Sequence, residues 1–260
     1  MATDQWLRTL GAAPSGSPTM VCFPHAGGSA TFFQPLARAL SPTIEVAAVQ
    51  YPGRGQRRTA QLVDSIDVIV DQLLDVMRSQ GRRPTVLFGH SMGAVIAFEV
   101  ACRLEQDPRT PPVVLVVSAR RAPSVHRDEA VHRLDDAGIL AHVRRLGGTD
   151  PGVVTDDELL RLMLPVLRND YKAVETYRYR PGVTVSCRIS AYLGRSDQRV
   201  DLDDALAWRH LTSGAFRIQT FRGGHFFVNS DPAAVRDAVL RDLTVTASSR
   251  SPGWPRPEIE

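Results

Sequence analysis

Val86-Leu87-Phe88-Gly89-His90-Ser91-Met92-Gly93-Ala94-Val95-Ile96-Ala97-Phe98 joins a short apolar strand pattern to an apolar helix pattern through a glycine-flanked serine, and this stretch decides the fold. Val86 to Phe88 reads as a buried strand. Ala94 opens a run with apolar residues at helical spacing that continues to Gln106, where Asp107-Pro108 stops it. Gly89-His90-Ser91-Met92-Gly93 between them has the G-x-S-x-G spacing of a sharp strand–turn–helix. Such a turn needs neighbours without side chains, so that strand and helix approach closely and the serine projects from the end of the sheet. The simpler alternative is a glycine-rich turn carrying an incidental serine.

Outward from this unit the chain alternates β-rich runs with helical patterns, which predicts an α/β fold around a mostly parallel sheet. Met20 to Phe23, Ile44 to Val49, Val113 to Val117, Ile189 to Leu193 and Phe216 to Phe221 complete the strand candidates. Helical spacing covers Thr31 to Leu40, Val63 to Ser79 and Ala233 to Leu243. The alternation breaks between about Arg120 and Pro181. Two helices are expected there, Val131 to Leu146 and one starting at Thr155, where Thr155-Asp156-Asp157-Glu158 has capping-box spacing. A helical excursion between two strands of an α/β sheet commonly covers the ligand-binding end; a merely structural subdomain is the alternative. The expectation is one domain over residues 1–247 with a lid insertion at about 120–181, followed by a disordered tail over 248–260.

Composition narrows the classes. In 260 residues, 43% hydrophobic and 23% charged side chains exclude disorder for the body of the chain. No uninterrupted apolar run, Val113 to Val117 included, exceeds five residues, far short of the roughly 18 residues that cross a bilayer, and no leader pattern opens the chain, so a cytoplasmic location is expected. Cys22, Cys102 and Cys187 lack metal or disulfide spacing and read as small buried residues. A net charge of +3, dispersed along the chain, gives no case for nucleic-acid binding.

A serine hydroxyl needs a base to attack a carbonyl at neutral pH, and histidine is the side chain tuned to that range. His225, in Gly223-Gly224-His225-Phe226-Phe227 after the last strand, is placed to reach over the turn. His90 would point elsewhere, His126, His132 and His142 belong to the insertion, His210 to a polar helical stretch, and His25 to the loop after the first clear strand. The base needs an orienting carboxylate, and the chain order Ser…Asp…His of this architecture places it between Ser91 and His225. Asp197 in Gly194-Arg195-Ser196-Asp197 fits; Asp201, Asp203 and Asp204 are fallbacks. Oxyanion charge needs two N–H donors. Met92 follows the nucleophile, and Pro24-His25-Ala26-Gly27-Gly28 is a loop of the His-Gly-Gly-Gly type, with Ala26 as its donor.

From Trp6 to about Asp242 the sequence resembles the discrete type II thioesterases of polyketide and nonribosomal peptide pathways. The resemblance rests on Phe23-Pro24-His25-Ala26-Gly27-Gly28, Gln50-Tyr51-Pro52-Gly53-Arg54, Ala97-Phe98-Glu99, Leu164-Pro165-Val166-Leu167-Arg168-Asn169-Asp170, Tyr177-Arg178-Tyr179, Gly194-Arg195-Ser196-Asp197 and Gly223-Gly224-His225-Phe226-Phe227, besides the serine turn. It implies an α/β-hydrolase with a helical lid, no metal or organic cofactor, and hydrolysis of acyl groups stalled on the phosphopantetheine thiol of acyl or peptidyl carrier proteins. It maps the family's triad onto Ser91, Asp197 and His225 and its oxyanion donors onto Ala26 and Met92. Residues Val125 to Thr149 match little. A monomer is expected, with the arginines at 54, 57, 58, 120, 121, 144 and 145 read either as a surface complementary to acidic carriers or, equally, as a solvated face with no partner. A small-ester hydrolase or lipase needs only the shared triad. A non-catalytic binding protein of this fold would lack a triad member, and none is missing. The Met1 start and the absence of a fused carrier disfavour a cyclising release domain.

Overall fold

Seven strands pair side by side into one sheet. The computed structural model describes residues 6–79, 85–107, 114–146 and 157–248. The strands are β1 (Leu7–Gly11), β2 (Thr19–Phe23), β3 (Glu45–Val49), β4 (Val86–His90), β5 (Val114–Ser118), β6 (Arg188–Gly194) and β7 (Phe216–Phe221), in the order β1-β3-β2-β4-β5-β6-β7. All neighbours run parallel except β1, which pairs antiparallel with β3.

β1 is absent from the sequence expectations because only Leu7 of its five residues is buried. An edge strand with one partner carries no continuous apolar run. The central strands are covered on both faces. Val21, Leu87, Leu115 and Ile189 turn to one core, and Met20, Phe88, Val116 and Tyr192 to the other. This period of two explains their uninterrupted apolar character.

The helices are α1 (Gln34–Leu40), α2 (Ile66–Ser79), α3 (Met92–Leu104), α4 (Asp136–Leu146), α5 (Asp157–Thr176), α6 (Leu202–Leu206), α7 (Phe227–Ser230) and α8 (Pro232–Ser248). α2 starts three residues later than its apolar pattern and buries Ile66, Ile69, Val70, Leu73 and Met77, a stripe at helical spacing. α2 and α3 pack on one face of the sheet, α1 and α8 on the other. α3 is buried nearly all round, as expected of a helix enclosed by the sheet, α2 and α5.

Two features place the site. β2 leads to β3 on one side of the sheet, whereas β4, β5, β6 and β7 follow on the other, so the strand order reverses between β2 and β4. At such a switch point the loops leaving the two strands diverge and open a crevice at their carboxyl ends. Between β5 and β6, α4 and α5 form the helical excursion, with a core of Ile139, Leu140, Val143, Leu164, Leu167 and Tyr171. The Thr155 capping box and most of the expected tail lie outside the described residues.

Candidate active site

Ser91 sits immediately after β4 with φ 54° and ψ −117°, a conformation that costs an L-residue steric strain. Its N–H donates to the Ser118 carbonyl on β5 at 2.8 Å, and its own carbonyl accepts the Ala94 N–H at 2.9 Å. The flanking glycines are steric requirements. A Cβ at Gly93 would lie 1.9 Å from the Phe23 carbonyl oxygen, and one at Gly89 would lie 2.3 Å from the Gly93 carbonyl oxygen. Close packing of α3 against the end of β2 therefore places Ser91 beside the loop that follows β2.

His225 and Asp197 come from the loops after β7 and β6. The Ser196 N–H donates to Gly223 O at 2.9 Å and the Arg195 N–H to Phe221 O at 2.9 Å, tying the two loops together. Asp197 Oδ2 accepts from His225 Nδ1 at 2.9 Å, and its Oδ1 accepts the Arg199 N–H at 2.9 Å. The Asp197 side chain is 0% exposed and that of His225 7%. Because a carboxylate only accepts, Nδ1 carries the proton and Nε2 is left with the lone pair. Of the fallback carboxylates, Asp203 is exposed on α6 and the other two are used elsewhere. Asp201 and Asp204 form the capping box of α6, and Asp204 also accepts from Arg127 at 2.7 Å.

Ser91, Met92, Ala26 and His225 line one cavity of about 60 Å³. Val143 of α4 and Met163 and Leu167 of α5 enclose it from the helical side. The structure thus brings together all five residues singled out from the sequence. Ser91 brings a hydroxyl, His225 an imidazole with an oriented ring, and Ala26 and Met92 their main chain to the lining of the same opening. This set can perform acyl transfer through a serine.

The other histidines behave differently. His90 points under the sheet edge, its Nδ1 3.0 Å from Ser118 Oγ and its Nε2 without a partner. His25 packs edge-on against Phe32 and Phe226, and burial, with His225 and Arg54 adding to it, pushes its pKa down to about 3. Burial also holds the His90 pKa well below the usual imidazole range, so both rings are neutral, and of the two only His25 lines the cavity. Cys22, Cys102 and Cys187 are buried thiols, and burial raises the pKa of each.

The arginine surface expected from the sequence is corrected here. Arg54 is 8% exposed and ion-paired with Asp170, and Arg121 is 5% exposed and paired with Glu129 at 2.8 Å. Arg120 lines the cavity with its Nε buried. Arg57 lies over the Trp6 ring at 3.9 Å. Only Arg58, Arg144 and Arg145 are exposed. These arginines lie next to folded loops, and spacing along the chain gave no sign of their partners.

The thioesterase domain family model matches residues 18–244. A Streptomyces griseus protein described as a probable cadicidin biosynthesis thioesterase is 43% identical over 92% of this chain and 66% of its own length. Thioesterase PikA5 of Streptomyces venezuelae is 42% identical over 93% and 86%. The chain thus spans about two thirds of the first relative and most of the second. Among solved structures, the type II thioesterase BorB of the borrelidin biosynthetic cluster superposes with a TM-score of 0.86 at 44% identity, covering 94% of this chain and 99% of that one. RedJ of the prodiginine pathway in Streptomyces coelicolor superposes with a TM-score of 0.81 at 34% identity, covering 90% and 88%. No helix among the described residues is long and apolar enough to cross a membrane.

Proposed function

The chain belongs to the thioesterase family and is a thioester hydrolase of the α/β-hydrolase fold; from that premise we propose that Ser91, His225 and Asp197 are its catalytic triad. Ala26 and Met92 supply the oxyanion donors. Its substrates are short or aberrant acyl groups held on the phosphopantetheine thiol of acyl or peptidyl carrier proteins, as in the type II enzymes it resembles. The helical insertion at about 120–181, with α4 and α5, acts as the lid of a single domain.

The observation that carries this reading is the Asp197–His225 hydrogen bond at the rim of the cavity that holds Ser91. His225 Nε2 takes the proton as Ser91 Oγ adds to the thioester carbonyl. The two N–H groups receive the oxyanion, and the thiol leaves with the proton returned by His225. Water, deprotonated by the same imidazole, then releases the acid from the acyl-serine. Asp197 stabilises the imidazolium in both halves of the cycle and keeps its charge. A cavity of about 60 Å³ with Val143, Met163 and Leu167 in its walls supports short apolar acyl groups.

Release of free acid from acetyl-, propionyl-, butyryl- and malonyl-loaded carrier protein, beside matched p-nitrophenyl esters, tests the reading. Wild type should prefer the carrier-bound short chains, and Ser91→Ala should abolish turnover. Fast ester turnover with indifference to the carrier would indicate a generic esterase instead.

A further inference from the structure

The loop that offers the Ala26 N–H is held by a residue of the lid helix. Asp170 lies on α5, 143 residues from Gly27, yet its Oδ2 accepts the Gly27 N–H at 2.8 Å. The same oxygen receives Arg54 Nη2, while Arg54 Nε donates to Gly28 O at 2.8 Å and Nη1 to Pro52 O at 2.6 Å. The Asp170 carboxylate and the Arg54 guanidinium thus grip the residues immediately following Ala26 from both polar ends of the backbone. The pair is enclosed, with side-chain exposures of 3% and 8%.

The loop itself is unusual. Gly27 has φ +76°, and a Cβ there would meet Leu167 Cδ2, also on α5, at 2.5 Å. The Gly28 N–H closes a turn onto His25 O at 2.9 Å. Both N–H groups after Ala26 are therefore committed within the fold, away from the cavity that Ala26 lines. A backbone at positive φ has little steric preference of its own to hold that orientation. An external acceptor fixes it.

We propose that Asp170, neutralised by Arg54, is a positioning residue for the Ala26 oxyanion donor, so that lid helix α5 completes the oxyanion hole. The proposal rests on the assignment of Ala26 to that hole. It couples two parts that are otherwise separate: any displacement of α5 withdraws the acceptor from Gly27 and relaxes the donor beside it. Oxyanion stabilisation depends on donors held where charge develops, so the effect falls on the transition state and spares the ground state.

The test uses two variants of the full chain with a soluble acyl thioester and an acyl trifluoromethyl ketone, whose tetrahedral adduct with serine needs the oxyanion hole. Asp170→Leu combined with Arg54→Met removes the acceptor while leaving no unpaired buried charge. It should lower kcat by about tenfold to a hundredfold with KM nearly unchanged, and raise the ketone Ki by the same factor. Asp170→Asn, nearly isosteric, keeps a weaker neutral acceptor and should raise Ki by about threefold to tenfold. Wild-type kcat and Ki in the folded double variant would overturn the proposal. If the double variant does not fold, unchanged Ki in Asp170→Asn overturns it alone. Failure of the underlying assignment shows separately, as thioester hydrolysis retained by Ser91→Ala or wild-type enzyme indifferent to the ketone.

Discussion

Asp197 and His225 face each other across the ends of β6 and β7, their side chains 2.9 Å apart and the carboxylate fully enclosed. The contact has one chemical consequence, a fixed imidazole tautomer. Asp197→Asn presents an amide that can donate to Nδ1 and so favours the wrong tautomer. It should lower kcat by about 10³–10⁴-fold with little change in KM. Asp204→Asn disturbs only the Arg127 pair and the α6 cap, and should lower Tm while leaving kcat intact. Steady-state kinetics and thermal melts on the two variants separate the roles; equal kinetic losses would reject the triad.

Gly93→Ala should destabilise the fold without touching any reacting group. The added methyl would meet the Phe23 and Pro24 carbonyl oxygens at 1.9 and 2.7 Å, and neither backbone segment is free to yield. Overpacking of this kind costs about 1–3 kcal/mol. In a domain of this size each kcal/mol lowers Tm by roughly 2–4 °C. A melt indistinguishable from wild type would show that α3 is not held against β2 as described.

Stability should fall on mild acidification. Burial pushes His25 down to about 3, His142 down to about 4, with Arg199 and Arg145 adding to it, and His90 well below the usual imidazole range. Their folded pKa values lie below the value of about 6.5 expected in the unfolded chain. The unfolded state therefore binds protons first, and the stability these rings contribute is fully present above about pH 6.5 and lost as pH falls toward about 4. Melts between pH 7.5 and 4.5 should show a steady drop in Tm. His142 Nε2 faces Arg199 Nη1 at 2.9 Å, so it acts as an acceptor, and His142→Gln preserves an acceptor while removing one titration. The drop should become shallower in that variant; an unchanged slope would remove His142 from the account.

Carrier recognition should depend on the exposed arginines. Arg145 borders a groove of about 260 Å³ beside Asp197 and His225, and Arg58 lies near the loop after β3. Charge reversal at both should raise KM for acyl-carrier protein by about threefold to tenfold at low salt and leave a small acyl thioester unaffected. Arg57 is left in place because it packs on Trp6 and donates to Gln50 O at 3.1 Å. Equal effects on both substrates would discard this surface.

The sequence by itself determined the fold class, six of the seven strands and the thioesterase family. Five of the seven strands, β2 to β6, are buried along nearly their whole length, and the turn at Ser91 sits between glycines that nothing larger could replace, so each announces itself locally. His225 and Asp197 follow strand ends, where a parallel sheet collects its loops at one edge. What only the tertiary structure decided is how residues without a local signature are used. β1 is half exposed and pairs with one neighbour, so its apolar pattern is too thin to read. Arg54 and Asp170 lie 116 residues apart, and nothing in the spacing of either indicates that they meet behind the Gly27 N–H. Alternation and glycine placement are constraints of the backbone on its near neighbours and are written along the chain. A buried ion pair between the loop after β3 and helix α5 exists only once desolvation leaves each charge a single available counter-charge, which is a property of the folded packing.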